Sequence, residues 1–222
     1  MNNITNHFDA AVFDMDGLLL DSERISLLVF NETLVSFGLD RNDELFKQIV
    51  GTNAATCKQI LRAGLAGQTD PDHFGKVWFN RYLERTAEEP ITIKLGAKDL
   101  LTHLQALDMP IAVATSTKTP LAITKLENAG LKHFFQFIIG GDQVKHGKPH
   151  PEIYQKSLQQ ISSVPERTLA FEDSENGVRA AVAAGMTVIQ IPDIVQPSES
   201  LKSLGHIILD DLTQVISHKF YE

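Results

Sequence analysis

The chain has little cysteine, a deficit of positive charge and no long hydrophobic run. Cys57 is the only cysteine among 222 residues, so no disulfide can form within the chain and a reducing compartment is expected. The 28 Asp and Glu exceed the 20 Lys and Arg, and the resulting net charge of -8 disfavours nucleic acid and anionic membranes as partners. No stretch approaches the roughly 20 apolar residues that a membrane-spanning helix needs.

The N-terminal segment Met1–Phe8 is polar and lacks the basic start and apolar stretch of a secretory signal. We therefore expect a cytoplasmic protein. Apolar residues make up 43% of the chain and charged residues 22%, which is typical of a globular protein with a substantial core. The thiol of Cys57 lies in a stretch of helical character, Ala54–Leu65, and is expected to be a small buried group rather than a nucleophile.

Short apolar runs recur along the chain, and from Ile111 onward segments with helical spacing separate them. The runs are Ala10–Phe13, Ile111–Thr115, Phe137–Ile139, Leu169–Phe171, Val188–Ile191 and Ile207–Leu209. Helix punctuation accompanies them: Thr119 is a predicted N-cap before a proline, and Gly130 is the predicted end of that helix. This alternation predicts an α/β fold with a Rossmann-like parallel sheet, whose ligands bind beyond the carboxyl ends of the strands.

The region from about Ser22 to Glu89 interrupts the alternation with three amphipathic segments and no strong strand. These segments lie within Ile25–Phe37, Ile60–Leu65 and Val77–Leu83. We predict an all-helical cap domain at residues 20–91, inserted into an α/β core formed by residues 1–19 and 92–222. The aromatic pair Trp78 and Phe79 is expected in the core of this insert.

Two carboxylates, Asp14 and Asp16, stand one residue apart where the first apolar run meets Gly17. Residues i and i+2 share a face of a strand, and the strand ends here, so both side chains can converge on a pocket at its carboxyl end. One ionised oxygen can then attack while the other carboxyl moves a proton. A strand that runs into an Asp-Gly turn explains the same residues without any chemistry, so the other strand ends are needed to decide.

Three further segments carry polar groups at strand ends or on a rigid loop. Thr115–Lys118 precedes a helix N-terminus, which suits a phosphate, although simple helix capping explains it equally well. Glu172 and Asp173 are adjacent acids that suit a hard cation such as Mg²⁺, or else an acidic N-cap. Lys148 lies in Gly147–Pro151, where two prolines restrict the backbone and can aim its side chain.

Together these segments resemble the haloacid dehalogenase superfamily, in the branch with a helical cap inserted after the first motif. The motifs are FDMDG at Phe13–Gly17, ATST at Ala114–Thr117, GKPHPEIY at Gly147–Tyr154 and FEDSENG at Phe171–Gly177. Their order, their spacing and the position of the cap agree over essentially the whole chain. The first and last motifs are highly specific, whereas the hydroxyl motif by itself is not.

The resemblance implies a role for each motif residue. Asp14 is the expected nucleophile, which forms an aspartyl phosphate, and Asp16 is the expected general acid and later the general base. Thr115 and the backbone N–H of Ser116 are expected to bind phosphoryl oxygens, and Lys148 to neutralise charge on the nucleophile and the phosphoryl group.

The implied cofactor is Mg²⁺, which together with the lysine offsets the repulsion between an anionic nucleophile and an anionic substrate. Its predicted ligands are Asp14, the backbone carbonyl of Asp16, Asp173 and, directly or through water, Glu172. The predicted substrate-binding residues are Gly17, Asn53 and Ser116.

The expected function is a phosphatase that acts on a small phosphorylated metabolite, in particular a sugar phosphate. A dehalogenase is disfavoured because it lacks the second aspartate, whereas this chain has Asp16 and the acidic pair Glu172 and Asp173. A phosphonatase is disfavoured because it needs a Schiff-base lysine from the cap, and nothing in the pattern singles out Lys47 or Lys58 for that role. A β-phosphoglucomutase-like enzyme remains the alternative, but Ser26 and Ala54 replace the histidine and arginine that such enzymes carry in the cap. A catalytically silent binding protein is disfavoured by the intact set of catalytic side chains.

Substrate specificity is expected to depend on polar residues of the cap, although a solvated surface position explains each of them as well. The candidates are Thr52, Asn53, Lys58 and Arg81. His146 and His150 flank the motif lysine without metal-ligand spacing and are expected to be structural or on the surface. We expect a monomer or weak dimer with neither nucleic acid nor membrane as a partner.

Overall fold

The structure, a computed structural model, describes residues 8–88 and 90–218. In these residues one six-stranded sheet is formed by β1 (Ala10–Phe13), β2 (Ile111–Ala114), β3 (Phe137–Ile139), β4 (Thr168–Glu172), β5 (Thr187–Gln190) and β6 (Ile207–Ile208). The strand order is β3-β2-β1-β4-β5-β6 and every neighbouring pair is parallel. Each strand agrees with a predicted apolar run to within one residue at either end. The predicted α/β fold with a Rossmann-like parallel sheet is confirmed.

A helical segment, with four helices among its described residues, follows β1, where the sequence predicts three amphipathic segments. Its helices are α1 (Ser22–Ser36), α2 (Asp43–Ile49), α3 (Ala54–Gly64) and α4 (Pro71–Glu88). The helices that accompany the sheet are α5 (Ala97–Ala106), α6 (Thr119–Asn128), α7 (Glu152–Ile161), α8 (Glu175–Ala183), α9 (Glu199–Lys202) and α10 (Thr213–His218). The domain boundaries given above, at residues 19/20 and 91/92, stay a prediction.

Helices cover both faces of the sheet, which explains why the central strands are apolar throughout rather than alternating. On one face, Phe13 of β1 stacks on Phe171 of β4 with ring centroids 4.4 Å apart, in a core that includes Leu100 of α5. On the other face, Val12 lies in a second core with Ile153 of α7. These two layers fix the strands, and the strands in turn fix the residues that follow their carboxyl ends.

Helix boundaries follow the predicted punctuation closely but not at every residue. Helix α6 begins at Thr119, so Lys118 rather than Thr119 occupies the N-cap position. The physical reason is that the Thr119 hydroxyl donates a hydrogen bond to Asp142 Oδ1 at 2.8 Å instead of accepting one from its own helix. Gly130 follows the end of α6 with a φ of +68°, a conformation that glycine adopts without steric cost.

The helical segment has its own apolar core, centred on Phe30 of α1. The Phe30 ring contacts those of Phe46, Phe74 and Trp78 at centroid distances of 5.5, 5.4 and 5.1 Å. Phe79, by contrast, is 51% exposed, so the prediction that both aromatic residues lie in this core is wrong for Phe79. Successive residues on a helix point about 100° apart, and the inward direction of Trp78 turns Phe79 towards solvent.

Two chain crossings join the helical segment to the sheet, and they are hydrogen-bonded to each other. Asp21 N donates to Thr92 O at 2.8 Å, and Lys94 N donates to Leu19 O at 2.9 Å. The Lys94 ammonium also pairs with the buried Asp193 carboxylate at 2.6 Å, in the segment after β5. The base of the helical segment is therefore held directly beside the carboxyl ends of the strands.

Among the helices of the described residues, none combines the length and the hydropathy that crossing a bilayer requires. The prediction that the chain starts without a signal sequence concerns mainly Met1 to His7, which lie outside the described residues.

Candidate active site

The carboxyl ends of β1, β2 and β4 bring the predicted motifs to one edge of the sheet. Phe13, the last residue of β1, is level with Val113 of β2 and with Phe171 of β4. Strand pairing continues one residue further, since Asp14 N donates to Phe171 O at 2.9 Å. On β2, Thr115 N donates to Ile139 O at 3.0 Å in the same way. The side chains that follow these strands therefore start from rigid backbone.

Asp14, Glu172 and Asp173 form a buried group of carboxylates whose oxygens lie within 4.8 Å of one another. Burial, to which repulsion from Glu172 adds, raises the pKa of Asp14 to about 7, even though Lys148 attracts its charge. Burial and repulsion from its two neighbours also raise the pKa of Asp173 well above its ordinary value. Crowded carboxylates of this kind gain most from a bound cation, and three oxygen donors suit a hard divalent ion.

Lys148 is buried between two of these carboxylates. Its ammonium donates to Asp14 Oδ1 at 2.5 Å, to Glu172 Oε1 at 2.6 Å and to Ala114 O at 2.9 Å, which uses all three of its donors. Although burial opposes it, the attraction of both carboxylates raises the pKa of Lys148, so this side chain stays charged. The Tyr154 hydroxyl donates to the same Glu172 oxygen. The motif lysine is thereby aimed at the predicted nucleophile.

The Asp16 side chain has a different set of partners. Its Oδ1 accepts from Ser22 Oγ at 2.7 Å and from Lys125 Nζ at 2.6 Å. Its Oδ2 accepts from Thr117 Oγ1 at 2.7 Å and more weakly from Thr115 Oγ1 at 3.4 Å. Although burial opposes it, the attraction of Lys125 lowers the pKa of Asp16. The structure therefore separates the two aspartates of the first motif into two electrostatic environments.

Several side chains at this edge of the sheet were not among the predicted site residues: Ser22 and Thr117 beside Asp16, and also Glu23, Lys125 and Tyr154. Lys125 lies in the buried stripe of α6 with Ala122 and Leu126, and a lysine at an apolar position of a helix is the signal that identifies it. Glu23 lies in the first turn of α1, where burial raises its pKa to about 8. Tyr154 is the last residue of the GKPHPEIY motif, but nothing in that motif alone indicates its partner.

Two glycines allow the backbone to approach the carboxylates closely. Gly17 has a φ of +84°, and a Cβ at this position would lie 2.3 Å from Asp173 Oδ2. At Gly177, in the first turn of α8, a Cβ would lie 1.9 Å from the carboxyl carbon of Glu172. Both positions therefore require glycine for packing, and binding of substrate by Gly17 stays a prediction.

The other two predicted substrate-binding residues lie on loops at the same edge. Ser116 is exposed, directly after Thr115. Asn53 is half-buried, and its Oδ1 caps α3 by accepting from a backbone N–H of that helix at 3.0 Å. The loop that carries Asn53 contacts helix α8 beside the sheet, where Asn176 Nδ2 donates a hydrogen bond to Gly51 O at 3.0 Å. The segment before α3 thus covers the motif that follows β4.

The remaining specificity candidates of the cap make contacts within the helical segment. The Lys58 ammonium pairs with Asp72 at 3.3 Å, and Arg81 Nη1 donates to Ser36 Oγ at 2.9 Å. The Thr52 hydroxyl donates to a carbonyl of α2 at 2.6 Å. Each of these side chains therefore has a local structural partner, and a role in specificity stays a prediction.

The histidines lie on the surface, as expected, whereas Cys57 is less buried than the sequence predicts. His146 and His150 are both exposed, with ring centroids 4.9 Å apart. Cys57 is half-buried, and burial raises the pKa of its thiol to about 11. A thiol with so high a pKa carries almost no thiolate at neutral pH, which argues against a nucleophilic role.

Comparisons with known proteins agree with this geometry. The sequence profile of haloacid dehalogenase-like hydrolases matches residues 11–191. The chain is 33% identical over 178 residues to a phosphorylated carbohydrates phosphatase of Thermotoga maritima, covering 80% of this chain and 82% of that protein.

Solved structures show the same likeness. Crystalline CbbY from Rhodobacter sphaeroides, in complex with xylulose-(1,5)bisphosphate, is 28% identical with a TM-score of 0.77, covering 93% of this chain and 96% of that one. A β-phosphoglucomutase from Clostridium difficile shares the fold, with a TM-score of 0.77 at 21% identity, covering 96% of this chain and 97% of that one. The resemblance drawn from the four motifs is thereby confirmed, and the chain belongs to the family of haloacid dehalogenase-like hydrolases.

Proposed function

We propose that the protein is a Mg²⁺-dependent phosphatase that hydrolyses a small phosphomonoester, with sugar phosphates as the substrate class. The observation that carries this proposal is the placement of Asp14 in a buried carboxylate group beside the charged Lys148. The Thermotoga maritima relative, which is named for phosphorylated carbohydrates, supports the substrate class. The single cysteine and the net charge of -8 support action in the cytoplasm on a small metabolite.

In the first half of the reaction, Asp14 is the nucleophile. One oxygen of its carboxylate attacks phosphorus, and the bond between phosphorus and the ester oxygen breaks. The leaving alkoxide keeps the electron pair of that bond and takes a proton from Asp16. The products of this half are the free alcohol and an aspartyl phosphate on Asp14.

In the second half, water attacks the phosphorus of the aspartyl phosphate. Asp16, now a carboxylate, takes a proton from that water, and the bond between phosphorus and the Asp14 oxygen breaks. Inorganic phosphate leaves, the Asp14 carboxylate is restored, and Asp16 again carries the proton that the next cycle needs. The sum of both halves is the hydrolysis of one ester by one water molecule.

Charge on the phosphoryl group is the main electrostatic obstacle to this reaction. Lys148 lies 2.5 Å from the Asp14 oxygen and brings a buried positive charge to the attacking group. The Thr115 hydroxyl and the backbone N–H of Ser116 are the proposed donors to the phosphoryl oxygens. Both follow β2, directly beside the strand that carries Asp14.

The donor set fits a magnesium ion. The proposed ligands are Asp14, Asp173, the backbone carbonyl of Asp16 and, directly or through water, Glu172. Burial and mutual repulsion raise the pKa of Asp14 and of Asp173, and a bound cation would offset that repulsion. When bound, the ion would neutralise negative charge on the transferring phosphoryl group.

The test is release of inorganic phosphate from a panel of sugar phosphates and from p-nitrophenyl phosphate. We expect release with Mg²⁺ and none after metal stripping in excess chelator, with recovery when Mg²⁺ is restored. Full turnover in chelator would contradict the metal assignment. Conversion of one sugar phosphate into its isomer without phosphate release would instead identify the mutase-like alternative.

A further inference from the structure

Lys125 is a buried cation to which the proposed reaction assigns no role. Its side chain is only 6% exposed, and its Nζ lies 2.6 Å from Asp16 Oδ1. The same ammonium lies 5.1 Å from the ring centroid of Tyr82, in α4 of the helical segment. A charge placed so deeply needs compensation from a partner, and the carboxylate of Asp16 supplies it.

The two carboxylate oxygens of Asp16 accept hydrogen bonds from different residues. Oδ1 is occupied by Lys125 and by Ser22, with both hydrogen bonds at 2.7 Å or less. Oδ2 has one short bond, from Thr117, and one long contact of 3.4 Å with Thr115. Because Thr115 is the proposed phosphoryl-binding hydroxyl, Oδ2 is the oxygen directed towards the reacting group.

We propose that Lys125 is a positioning residue, which holds Oδ1 of Asp16 so that Oδ2 is the oxygen that gives and takes the proton. This inference rests on the proposed function, since it assumes that Asp16 is the acid and the base. Proton transfer requires the two heavy atoms to approach within about 2.6–3.2 Å. A displacement of about 1 Å in a reacting group can lower the rate by about 10²-fold, so loss of the ammonium anchor should be measurable.

Three variants test this role. Lys125→Met keeps an unbranched apolar chain as far as Cε but removes the charge and the hydrogen-bond donors, whereas Lys125→Arg keeps the charge and the donors. Lys98→Met on α5 is the matched control, because Lys98 is an exposed lysine on another helix that packs against the same sheet. For Lys125→Met we expect turnover of a sugar phosphate to fall on the order of 10–100-fold. Lys125→Arg should retain more activity, and Lys98→Met should match the unmodified protein.

A merely structural ion pair would not change how the reaction rate depends on the leaving group, so that dependence is the informative measurement. p-Nitrophenolate leaves without a proton, so the burst of p-nitrophenol that reports phosphorylation of Asp14 should change little in Lys125→Met. Decay of the phosphoenzyme requires Asp16 as a base and should slow. In an Asp16→Asn background, where decay is already slow, Lys125→Met should slow it no further, because the two substitutions act on one step.

Two results would overturn the inference. One is a Lys125→Met enzyme with unchanged turnover on both substrate types. The other is an equal loss on both types that also adds to the loss caused by Asp16→Asn, since Lys125 would then act on Asp14 or on the fold. If Lys125→Met does not fold, as judged by thermal unfolding, Lys125→Leu repeats the comparison, because it also removes the charge and the hydrogen-bond donors.

The inference and the proposed function fail in different ways. Absence of phosphate release and of any phosphoenzyme in the unmodified protein would overturn the function, and the inference with it. Normal activity of the unmodified protein with the wrong pattern in the Lys125 variants would overturn the inference alone.

Discussion

At the scale of single residues, the two aspartates of the first motif differ in their partners and therefore in their expected tasks. Asp14 lies in the buried carboxylate group and accepts from Lys148, whereas Asp16 accepts from Lys125 and Ser22. The first environment suits a nucleophile beside a metal ion. The second holds Asp16 as a carboxylate in the substrate-free protein, which is the form that the proposed second half of the reaction uses as its base, and substitution of each aspartate should stop a different step.

Asp14→Asn should abolish turnover while the fold is retained. The amide has nearly the shape of the carboxylate but cannot attack phosphorus, and it removes one negative charge from a crowded group. The free energy of unfolding of the metal-free protein should therefore hold or rise. Phosphate release and denaturant unfolding check both parts, with Asp40→Asn at an exposed position as the control. Retained turnover in a preparation free of deamidated protein would refute the assignment.

At the scale of elements, the strands were predictable because each is short, apolar and bounded by residues that end strands. Helix α2, Asp43–Ile49, was missed because seven residues give only two turns, too few for the 3.6-residue period to be recognised. The candidate site residues that follow β1, β2 and β4 were identified from their motifs, and the structure brings them to one edge of the sheet, while their roles stay a prediction. A lysine at an apolar position of α6 marks Lys125 in the sequence, but its partner was not predictable, because Asp16 lies 109 positions away and only tertiary packing brings the two together.

A pair of glycines in helices offers a prediction at the same scale. Gly177→Ala would place a methyl group 1.9 Å from the Glu172 carboxyl carbon, so we expect a loss of about 1–3 kcal/mol in the free energy of unfolding and weaker activity. Gly75→Ala in α4 meets only a Leu61 methyl at 3.4 Å and should be neutral or stabilising by up to about 1 kcal/mol.

Denaturant unfolding of both variants checks this contrast. Equal effects of the two substitutions would show that the close approach of α8 to the carboxylates has no energetic consequence.

At the scale of the whole molecule, the buried acids predict how stability depends on pH and on metal. The pKa of Asp14 rises from an ordinary 3.8 to about 7, and that of Glu23 rises from 4.5 to about 8, mainly through burial. Between the ordinary and the raised pKa of each acid, the folded protein binds more protons than the unfolded chain. The free energy of unfolding of the metal-free protein should therefore fall as pH rises from about 4 to 8. Added Mg²⁺ should stabilise the protein more at pH 8 than at pH 5.

The measurement is the thermal unfolding temperature across this pH range, with and without Mg²⁺. Burial lowers the pKa of His206, so its contribution to stability rises with pH, opposite to the contributions of Asp14 and Glu23. Comparison of the unmodified protein with Asp14→Asn isolates the contribution of Asp14. The variant should show a flatter pH dependence than the unmodified protein, because its amide does not titrate. An identical slope in both proteins would contradict the electrostatic account of the carboxylate group.

The most direct test of the central claim is rapid-mix kinetics of Asp16→Asn with p-nitrophenyl phosphate, followed by mass spectrometry of the quenched protein. In this variant Asp14 can still attack an ester whose leaving group needs no proton, but the aspartyl phosphate lacks its base for hydrolysis. We predict a burst of p-nitrophenol and a phosphoryl group on Asp14, with turnover of a sugar phosphate reduced on the order of 10²–10⁴-fold. No burst, no phosphoryl group on Asp14 and equal losses for both substrates would contradict the account.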